Sequence, residues 1–198
     1  MARLAHQHVE RTKLFAAAIM LSSAVMMLRV IFLVGVINAS LLQLIAPPLL
    51  LAVLAQGVLA GYLGNWARHA ETVDQPLTLK NPFDLGVVLA FGALLAIIMV
   101  LTKLLASWAG AGGAMALAAI SGTFDVDAIS LSLARLVPGG LDASTAVYAI
   151  LVAVVANSLT KIALAWTTGG TALGKLFAGG VAAAFLAGGI GLWGATAL

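Results

Sequence analysis

An apolar run over residues 114–137 holds two acidic side chains near its middle, Asp125 and Asp127. A run of about 20 residues is long enough for an α-helix to cross the hydrocarbon core of a bilayer. An ionised carboxylate at the centre of such a helix costs about 2.5–3.5 kcal/mol, so two of them need cationic partners, water or an ion. This run therefore predicts a membrane-spanning segment that carries a functional site.

The rest of the chain is similarly apolar. Of its 198 residues, 63% are hydrophobic and 9% are charged, and the mean hydropathy is +1.13. A soluble domain of this size needs far more polar surface, so the composition predicts an integral membrane protein. The net charge of +3 comes mostly from residues near the ends of apolar runs. It indicates contact with lipid headgroups and gives no support for nucleic-acid binding.

The apolar runs predict an all-α fold, a polytopic transmembrane bundle of about six helices. Helix 4 carries the acidic segment. We expect the helices over residues 14–38, 44–64, 83–108, 114–135, 143–168 and 171–198. The domain organisation that follows is a cytoplasmic N-terminal segment over residues 1–13 and a single transmembrane helical domain over residues 14–198.

The distribution of basic residues predicts the orientation of the bundle. Six crossings place both termini on one side, and the segments on that side hold Arg3, Arg11, Lys13, Arg68, Lys80 and Arg135. The opposite connections, near residues 39–46, 109–113 and 168–171, hold no lysine or arginine. Because basic loops stay inside the cell, we expect a multi-pass protein with cytoplasmic N- and C-termini.

Local signals predict details of three helices. Pro47-Pro48 is expected in the first turn of helix 2, where proline is tolerated. Asp142 and Ser144 are candidate caps for helix 5. Small residues recur every four positions in helix 6, at Gly180, Ala184 and Gly188. This spacing predicts close packing of helix 6, either within the protein or between protomers.

Helix geometry constrains how the two aspartates can act. In a straight helix, side chains two residues apart project about 200° apart, so Asp125 and Asp127 would face different surroundings. If the helix unwinds at residues 121–123, both carboxylates and the freed carbonyl groups can converge on an ion. Broken helices form such sites at mid-membrane in many transporters. In the alternative reading, one aspartate caps the second half-helix and the other pairs with a basic residue.

Hard oxygen atoms define the candidate ion-binding residues. They are Asp125, Asp127, Ser121, Thr123, Ser130 and Asn157. Carboxylate, hydroxyl and amide oxygens suit Mg2+ and other hard cations, so the two aspartates are the predicted metal ligands. We expect no cofactor other than a bound or transported cation of this kind.

Two basic residues are candidate charge partners or gates. Lys161 lies one turn from Asn157, and it could occupy the acidic site when no cation is bound. Its alternative role is to extend along the helix to the membrane interface, as lysine does readily. Arg29 lies deeper in helix 1, on one face with Ser22, and is expected to pair with Asp125 or Asp127.

The residues needed for enzymatic catalysis are missing. The chain has no cysteine, which excludes disulfides and thiolate chemistry, and no predicted helix contains a histidine. The serine-rich positions lack the adjacent base that a nucleophile requires. The glycine pairs do not form a phosphate-binding loop with a following Lys-Ser or Lys-Thr. We therefore expect that the protein is not an enzyme.

Four motifs carry a resemblance to a known family. They are Met26-Met-Leu-Arg-Val30, Asn81-Pro-Phe-Asp-Leu85, Gly122-Thr-Phe-Asp-Val-Asp-Ala-Ile-Ser-Leu-Ser-Leu-Ala-Arg135 and Ala156-Asn-Ser-Leu-Thr-Lys161. In this order, over roughly residues 14–195, the chain resembles the membrane domain of unknown function often found C-terminal to MgtC/SapB-type modules. The resemblance implies a bacterial inner-membrane protein associated with magnesium or other metal-ion homeostasis. It also makes an MgtC/SapB-type module a candidate partner.

These observations favour a channel or transporter for inorganic cations, with a divalent, Mg2+-like ion bound at an intramembrane aspartate site. We expect membrane lipid as a partner and a homo-oligomer, with a dimer favoured. A non-transporting membrane protein of assembly or regulation in metal-ion homeostasis is a second hypothesis. An exporter of a small solute is a third.

Overall fold

The computed structural model describes residues 2–67 and 85–197. Every element of regular secondary structure in this part of the chain is a helix. The five helices are α1 (Ala2–Ile37), α2 (Leu42–Ala67), α3 (Leu85–Gly122), α4 (Val126–Arg135) and α5 (Ala143–Ala197). A short 3-10 turn, Ala39–Leu41, joins α1 to α2. The all-α prediction is confirmed for the described residues. Most of the loop predicted at residues 65–82 lies outside them.

Three described stretches are long and apolar enough to cross a membrane. They are Thr12–Ile37, Ala39–Asn65 and Ala143–Thr196, and Gly110–Gly122 forms a shorter apolar helix. The third stretch has 54 residues, more than twice the length that one crossing requires. These helices are those of a helical membrane protein, whereas the number of six crossings stays a prediction.

Two glycines interrupt the long helices close to the predicted boundaries. Gly110 in α3 has φ 53° and ψ −135°, and Gly170 in α5 has φ 81° and ψ 172°. A side chain disfavours such positive φ values, and glycine adopts them freely because it lacks a Cβ. The sequence predicted chain breaks at residues 109–113 and 169–170, so both breaks lie where local sequence places them.

The prediction that Pro47-Pro48 lies in the first turn of helix 2 is wrong. Asn38, in an extended conformation, accepts a hydrogen bond from the Ser40 amide at 3.2 Å and starts the 3-10 turn. Because α2 then begins at Leu42, both prolines lie in its second turn. Proline is tolerated inside a membrane helix where a neighbouring helix packs against it. Here Gly191 of α5 approaches Pro47 so closely that a Cβ on that glycine would lie 2.7 Å from the proline carbonyl oxygen.

The C-terminal half of α5 packs within the protein, one of the two arrangements predicted for helix 6. Gly180 faces the Met20 side chain of α1, and Gly188 faces the Pro48 carbonyl of α2. The missing side chains allow the backbones to approach closely. The helix therefore uses its small residues for contacts with α1 and α2.

Asp142 caps α5 as predicted. Its carboxylate accepts a hydrogen bond from the Thr145 amide at 2.8 Å, and the Ser144 and Thr145 hydroxyls donate to it as well. These donors stabilise the ionised form and hold the pKa of Asp142 well below its usual value of 3.8. The first turn of α5 is thus held by a charged cap.

The core consists of two apolar clusters separated by a polar layer. Met27, Ala52 and Val154 belong to one cluster, and Met20, Ala60 and Ala165 belong to the other. On each of α1, α2 and α5, one fully buried polar residue lies between the two clusters. These residues are Ser23, Gln56 and Ser158, which we call the polar layer.

The Gln56 amide is the unsatisfied member of this layer. It is fully buried, and neither its oxygen nor its nitrogen has a hydrogen-bond partner among the described residues. An unsatisfied buried polar group costs about 1–3 kcal/mol. Replacing Gln56 with methionine, which has a similar length and no unsatisfied polar group, should raise the free energy of unfolding by about 1–2 kcal/mol. Equilibrium unfolding in detergent micelles measures this change.

The control for this substitution is Ser158→Ala. The Ser158 hydroxyl already donates to the Val154 carbonyl of its own helix at 2.8 Å, so its removal should bring no comparable gain. A Gln56→Met protein that is less stable than the wild type would contradict the prediction, and would show that the amide has a partner in the membrane.

Candidate functional site

The acidic segment is broken between α3 and α4. The helix α3 ends at Gly122, and α4 begins at Val126. The amides of Phe124 and Asp125 both donate to the Ser121 carbonyl, at 3.0 and 2.8 Å, and these bonds close the end of α3. The break thus follows Gly122, whereas the broken-helix alternative considered from the sequence placed it at residues 121–123. It still meets the condition under which both carboxylates can face one site.

Asp125 is the N-cap of α4. Its backbone is extended, with φ −150° and ψ 110°, and its Oδ1 accepts hydrogen bonds from the Asp127 amide at 2.9 Å and the Ala128 amide at 3.4 Å. These bonds satisfy amides that would otherwise lack partners at the start of the helix. The second carboxylate oxygen, Oδ2, is buried and has no partner in the described part of the chain.

Asp127 forms an ion pair with Arg29 of α1, as one of the sequence hypotheses predicted. One guanidinium nitrogen of Arg29 contacts Oδ2 of Asp127. The two side chains differ in burial, since that of Asp127 is 15% exposed and that of Arg29 is 61% exposed. The other oxygen, Oδ1 of Asp127, is buried without a partner among the described residues. The pair therefore uses only one of the two carboxylate oxygens.

Asn157 of α5 holds the end of α3. Its side-chain Nδ2 donates to the Gly122 carbonyl at 3.1 Å. Gly122 lies against α5 so closely that a Cβ at this position would be 2.5 Å from the Ala153 carbonyl oxygen. Because Nδ2 is engaged in this way, the amide oxygen of Asn157 remains free to accept, and it is buried without a partner in the described chain.

Lys161 points between the helices towards α1. Its Nζ lies 3.3 Å from the Ser23 hydroxyl oxygen and 3.3 Å from the Met26 sulfur. Ser23 belongs to the polar layer, so the Lys161 ammonium lies next to this layer. Within the described residues, the ion-pair partner of Asp127 is Arg29, and Lys161 is held by neutral atoms.

These side chains surround one cavity of about 330 Å3 between α1, the α3–α4 break and α5. Its lining residues are Ser22, Val25, Met26, Arg29, Phe124, Asp125, Val126, Asp127, Asn157 and Lys161. Two carboxylates and two basic groups line the same space, so their formal charges cancel. Three of the lining residues, Asp125, Asp127 and Asn157, each have a buried oxygen without a partner among the described residues.

Three of the predicted ion-binding residues lie away from this cavity. Ser121 and Ser130 are buried elsewhere, and neither lines it. The Thr123 hydroxyl donates to the Ile120 carbonyl at 2.7 Å. Short hydroxyl side chains bond readily to nearby backbone, and for Thr123 this local bond replaces the expected role at the site.

Five lining residues were not among the predicted site residues: Ser22, Val25, Met26, Phe124 and Val126. Met26 precedes Arg29 by three residues on α1, so helical spacing could have identified it. Phe124 lies in the break itself, and its position depends on where α3 ends. Nothing in its local sequence marks it as part of a site.

Carboxylates alone do not complete a metal site here. In residues 2–67 and 85–197, no group of three or more histidine, aspartate or glutamate side chains converges. A cation held by Asp125 and Asp127 would need further oxygen ligands. The amide oxygen of Asn157 and water molecules are of the required kind.

The comparison with known proteins identifies a family. Residues 1–169 match the family model described as "Domain of unknown function (DUF4010)". The chain belongs to this family. The match includes every residue that lines the cavity, from Ser22 to Lys161. It confirms the resemblance to a domain of unknown function, and the association with MgtC/SapB-type modules stays a prediction.

A relative from Aquifex aeolicus (strain VF5), named "Uncharacterized protein", is similar to this DUF4010 chain. The two are 35% identical over 153 residues, which cover 76% of this chain and 66% of the relative. The chain thus spans somewhat less than two thirds of that relative's length. No solved structure matches the chain.

Proposed function

We propose that the protein is a channel or transporter for inorganic cations, and that a divalent, Mg2+-like ion binds in the cavity beside Asp125. The observation that supports this proposal is the set of three buried oxygens without partners, on Asp125, Asp127 and Asn157, around one cavity. Two are carboxylate oxygens and one is an amide oxygen, which are ligands that hard divalent cations prefer. Water molecules complete the coordination, because Mg2+ retains several of them in most protein sites.

The basic residues balance the site when no cation is bound. Arg29 pairs with Asp127, and its long, largely exposed side chain can swing away when an ion replaces it. Lys161 stays close, held by the neutral atoms of Ser23 and Met26. Its positive charge weakens the binding of a second positive charge. Transport requires such moderate affinity, since an ion that binds too tightly does not leave.

The double substitution Asp125→Asn and Asp127→Asn tests this function. We expect Mg2+ uptake into proteoliposomes to fall to the level of protein-free vesicles, because both carboxylate ligands are lost while side-chain size is retained. A fluorescent Mg2+ indicator inside the vesicles measures the flux. The matched control is Asp142→Asn, which removes a carboxylate outside the cavity and leaves a good helix cap, so its uptake should equal that of the wild type.

The outcome is interpreted only for variants that fold as the wild type does in detergent. Unchanged uptake by the folded double variant would remove the basis of the proposal. Loss of uptake in Asp142→Asn as well would show that the effect does not come from the cavity.

The Arg29–Asp127 ion pair favours a second candidate function. In a non-transporting assembly or regulatory protein of metal-ion homeostasis, this pair and the Asp125 cap have purely structural roles, and an MgtC/SapB-type module is the partner we propose. In that case, replacing Arg29 and Asp127 together restores the folding that either single substitution impairs, and the flux does not change. The cation transporter instead loses flux when Asp127 is replaced, whatever the residue at position 29.

We also propose that the protein lies in the bacterial inner membrane with both termini in the cytoplasm. The proposal is supported by the six basic residues that fall on one side of the predicted crossings. An inner-membrane location also suits the three long apolar helices of the described chain.

A further inference from the structure

One face of α1 is exposed from Leu14 to Val36. Its large apolar residues recur at intervals of three, four or seven, the spacing of one helix face. They are Leu14, Leu21, Val25, Leu28, Phe32 and Val36, and all are exposed. Arg29 lies within this face, and its side chain is 61% exposed.

The mouth of the charged cavity opens on this face. Val25 and Phe124 line the cavity and are 62% and 79% exposed, so with Arg29 they form its rim. Val25 lies near the middle of the 26-residue span Thr12–Ile37, which is about 39 Å long. Val25 is therefore far from both ends of the span, at a depth where a single copy would face lipid tails, and Arg29 lies eight residues, about 12 Å, from the end at Ile37.

Lipid tails cannot stabilise an exposed guanidinium. Charged side chains in membrane-spanning segments almost always face the bundle interior or a water-filled cavity, where they find partners. The Arg29–Asp127 pair satisfies one nitrogen of the guanidinium, while most of the Arg29 side chain remains uncovered. A protein surface that covers Arg29 and closes the cavity would remove this conflict.

We propose that a second copy of this chain covers the α1 face, so that the two cavities meet in one chamber between the protomers. In a two-fold dimer, the interface is formed by the same surface patch of both copies. The charges suit such a contact, because Asp125, Asp127, Arg29 and Lys161 sum to zero in each copy and two copies meet without net repulsion. The apolar rim residues of each copy then close the mouth of the other cavity.

The role of this chamber in ion binding rests on the proposed cation transport, whereas the dimer contact does not.

The α1 face can also form a close contact, because its polar and small positions allow the backbones to approach. Ala18 and Ser22 lie one turn apart and are exposed. Small side chains at a helix interface promote association in membranes.

Single-cysteine crosslinking tests the dimer, since the natural chain contains no cysteine. The variant Val25→Cys, reconstituted in lipid vesicles and oxidised with copper phenanthroline, should give a disulfide-linked dimer as the main band on a non-reducing gel. The matched control is Leu54→Cys on α2, a position with a similar exposure of 60%. The fraction of disulfide-linked dimer should be at least tenfold lower for Leu54→Cys than for Val25→Cys. A bifunctional methanethiosulfonate extends the test to thiols too far apart for a disulfide.

Two results would overturn the dimer. One is a Val25→Cys protein that stays monomeric with both reagents although its thiol reacts with a maleimide; the face is then covered by lipid. The other is equal crosslinking of Leu54→Cys, which would show contact without preference for α1. Neither result depends on flux, so the proposed transport survives the loss of the dimer. A crosslinked dimer that takes up no Mg2+ would contradict only the transport.

Discussion

Replacing Arg29 with alanine should destabilise the protein far more than replacing Asp127 with asparagine. The side chain of Asp127 is largely buried, so the Arg29→Ala variant leaves an unpaired carboxylate inside the bundle. Such a carboxylate costs about 2.5–3.5 kcal/mol, the penalty for a charge at the centre of a membrane helix. The Asp127→Asn variant removes the buried charge, and the freed Arg29, eight residues from the end of the Thr12–Ile37 span, can extend its long side chain to the membrane interface. Its loss of stability should therefore be clearly smaller than that of Arg29→Ala. Equilibrium unfolding in detergent measures both.

A double variant separates the ion pair from other effects of Arg29. Arg29→Ala combined with Asp127→Asn has no unpaired carboxylate, so most of the lost stability should return. Arg135→Ala is the control, because it removes an exposed arginine at the end of α4, away from the cavity. A double variant as unstable as Arg29→Ala alone would show that the arginine stabilises the bundle by some contact other than Asp127.

Replacing Gly122 with alanine should separate α3 from α5. The added Cβ would lie 2.5 Å from the carbonyl oxygen and 2.6 Å from the Cα of Ala153. Both are backbone atoms, so no side-chain rotation relieves the clash and the helices must move apart. Overpacking of a core costs about 1–3 kcal/mol and occasionally more, and we expect the upper end of this range here.

The same substitution should also abolish Mg2+ uptake, because the Gly122 carbonyl accepts the hydrogen bond that orients Asn157 at the cavity. Gly57→Ala in α2 is the matched control, since no atom lies within 4 Å of its added Cβ. Alanine inside a helix is preferred over glycine by about 0.5–1 kcal/mol, so this control should be at least as stable as the wild type. A Gly122→Ala protein with wild-type stability would contradict the close α3–α5 contact.

Gly122 also shows why the position of the helix break could not be predicted from sequence. Glycine disfavours a helix, and one alternative from the sequence therefore placed an unwound segment around it. In the structure Gly122 is the last residue of α3, because its missing side chain allows the contact with Ala153 of α5. The break falls on the next residues, where Asp125 leaves the helical conformation to cap α4. Packing against α5, which is distant in sequence, thus decided that Gly122 ends α3 and does not lie in the break.

The partners of polar residues also divide into those that the sequence predicted and those that only the packing of distant helices decided. The ion pair between Arg29 and Asp127 was among the predicted pairings, since a charge inside a membrane bundle requires an opposite charge. The partner of Lys161 was not predictable, because Ser23 lies on α1, 138 positions away in the sequence. The hydroxyl of Thr123 instead bonds within its own turn, and local geometry withdrew it from the cavity.

By itself, the sequence determined that the described chain is helical and that it breaks near Gly110 and Gly170. Both features follow from local properties: the length of an apolar run and the freedom of glycine to adopt a positive φ. Only the tertiary structure decided which polar atoms share a cavity. That outcome depends on the helix break and on the packing of α1 against α5, where contacts between distant residues select one arrangement among those that the local sequence allows.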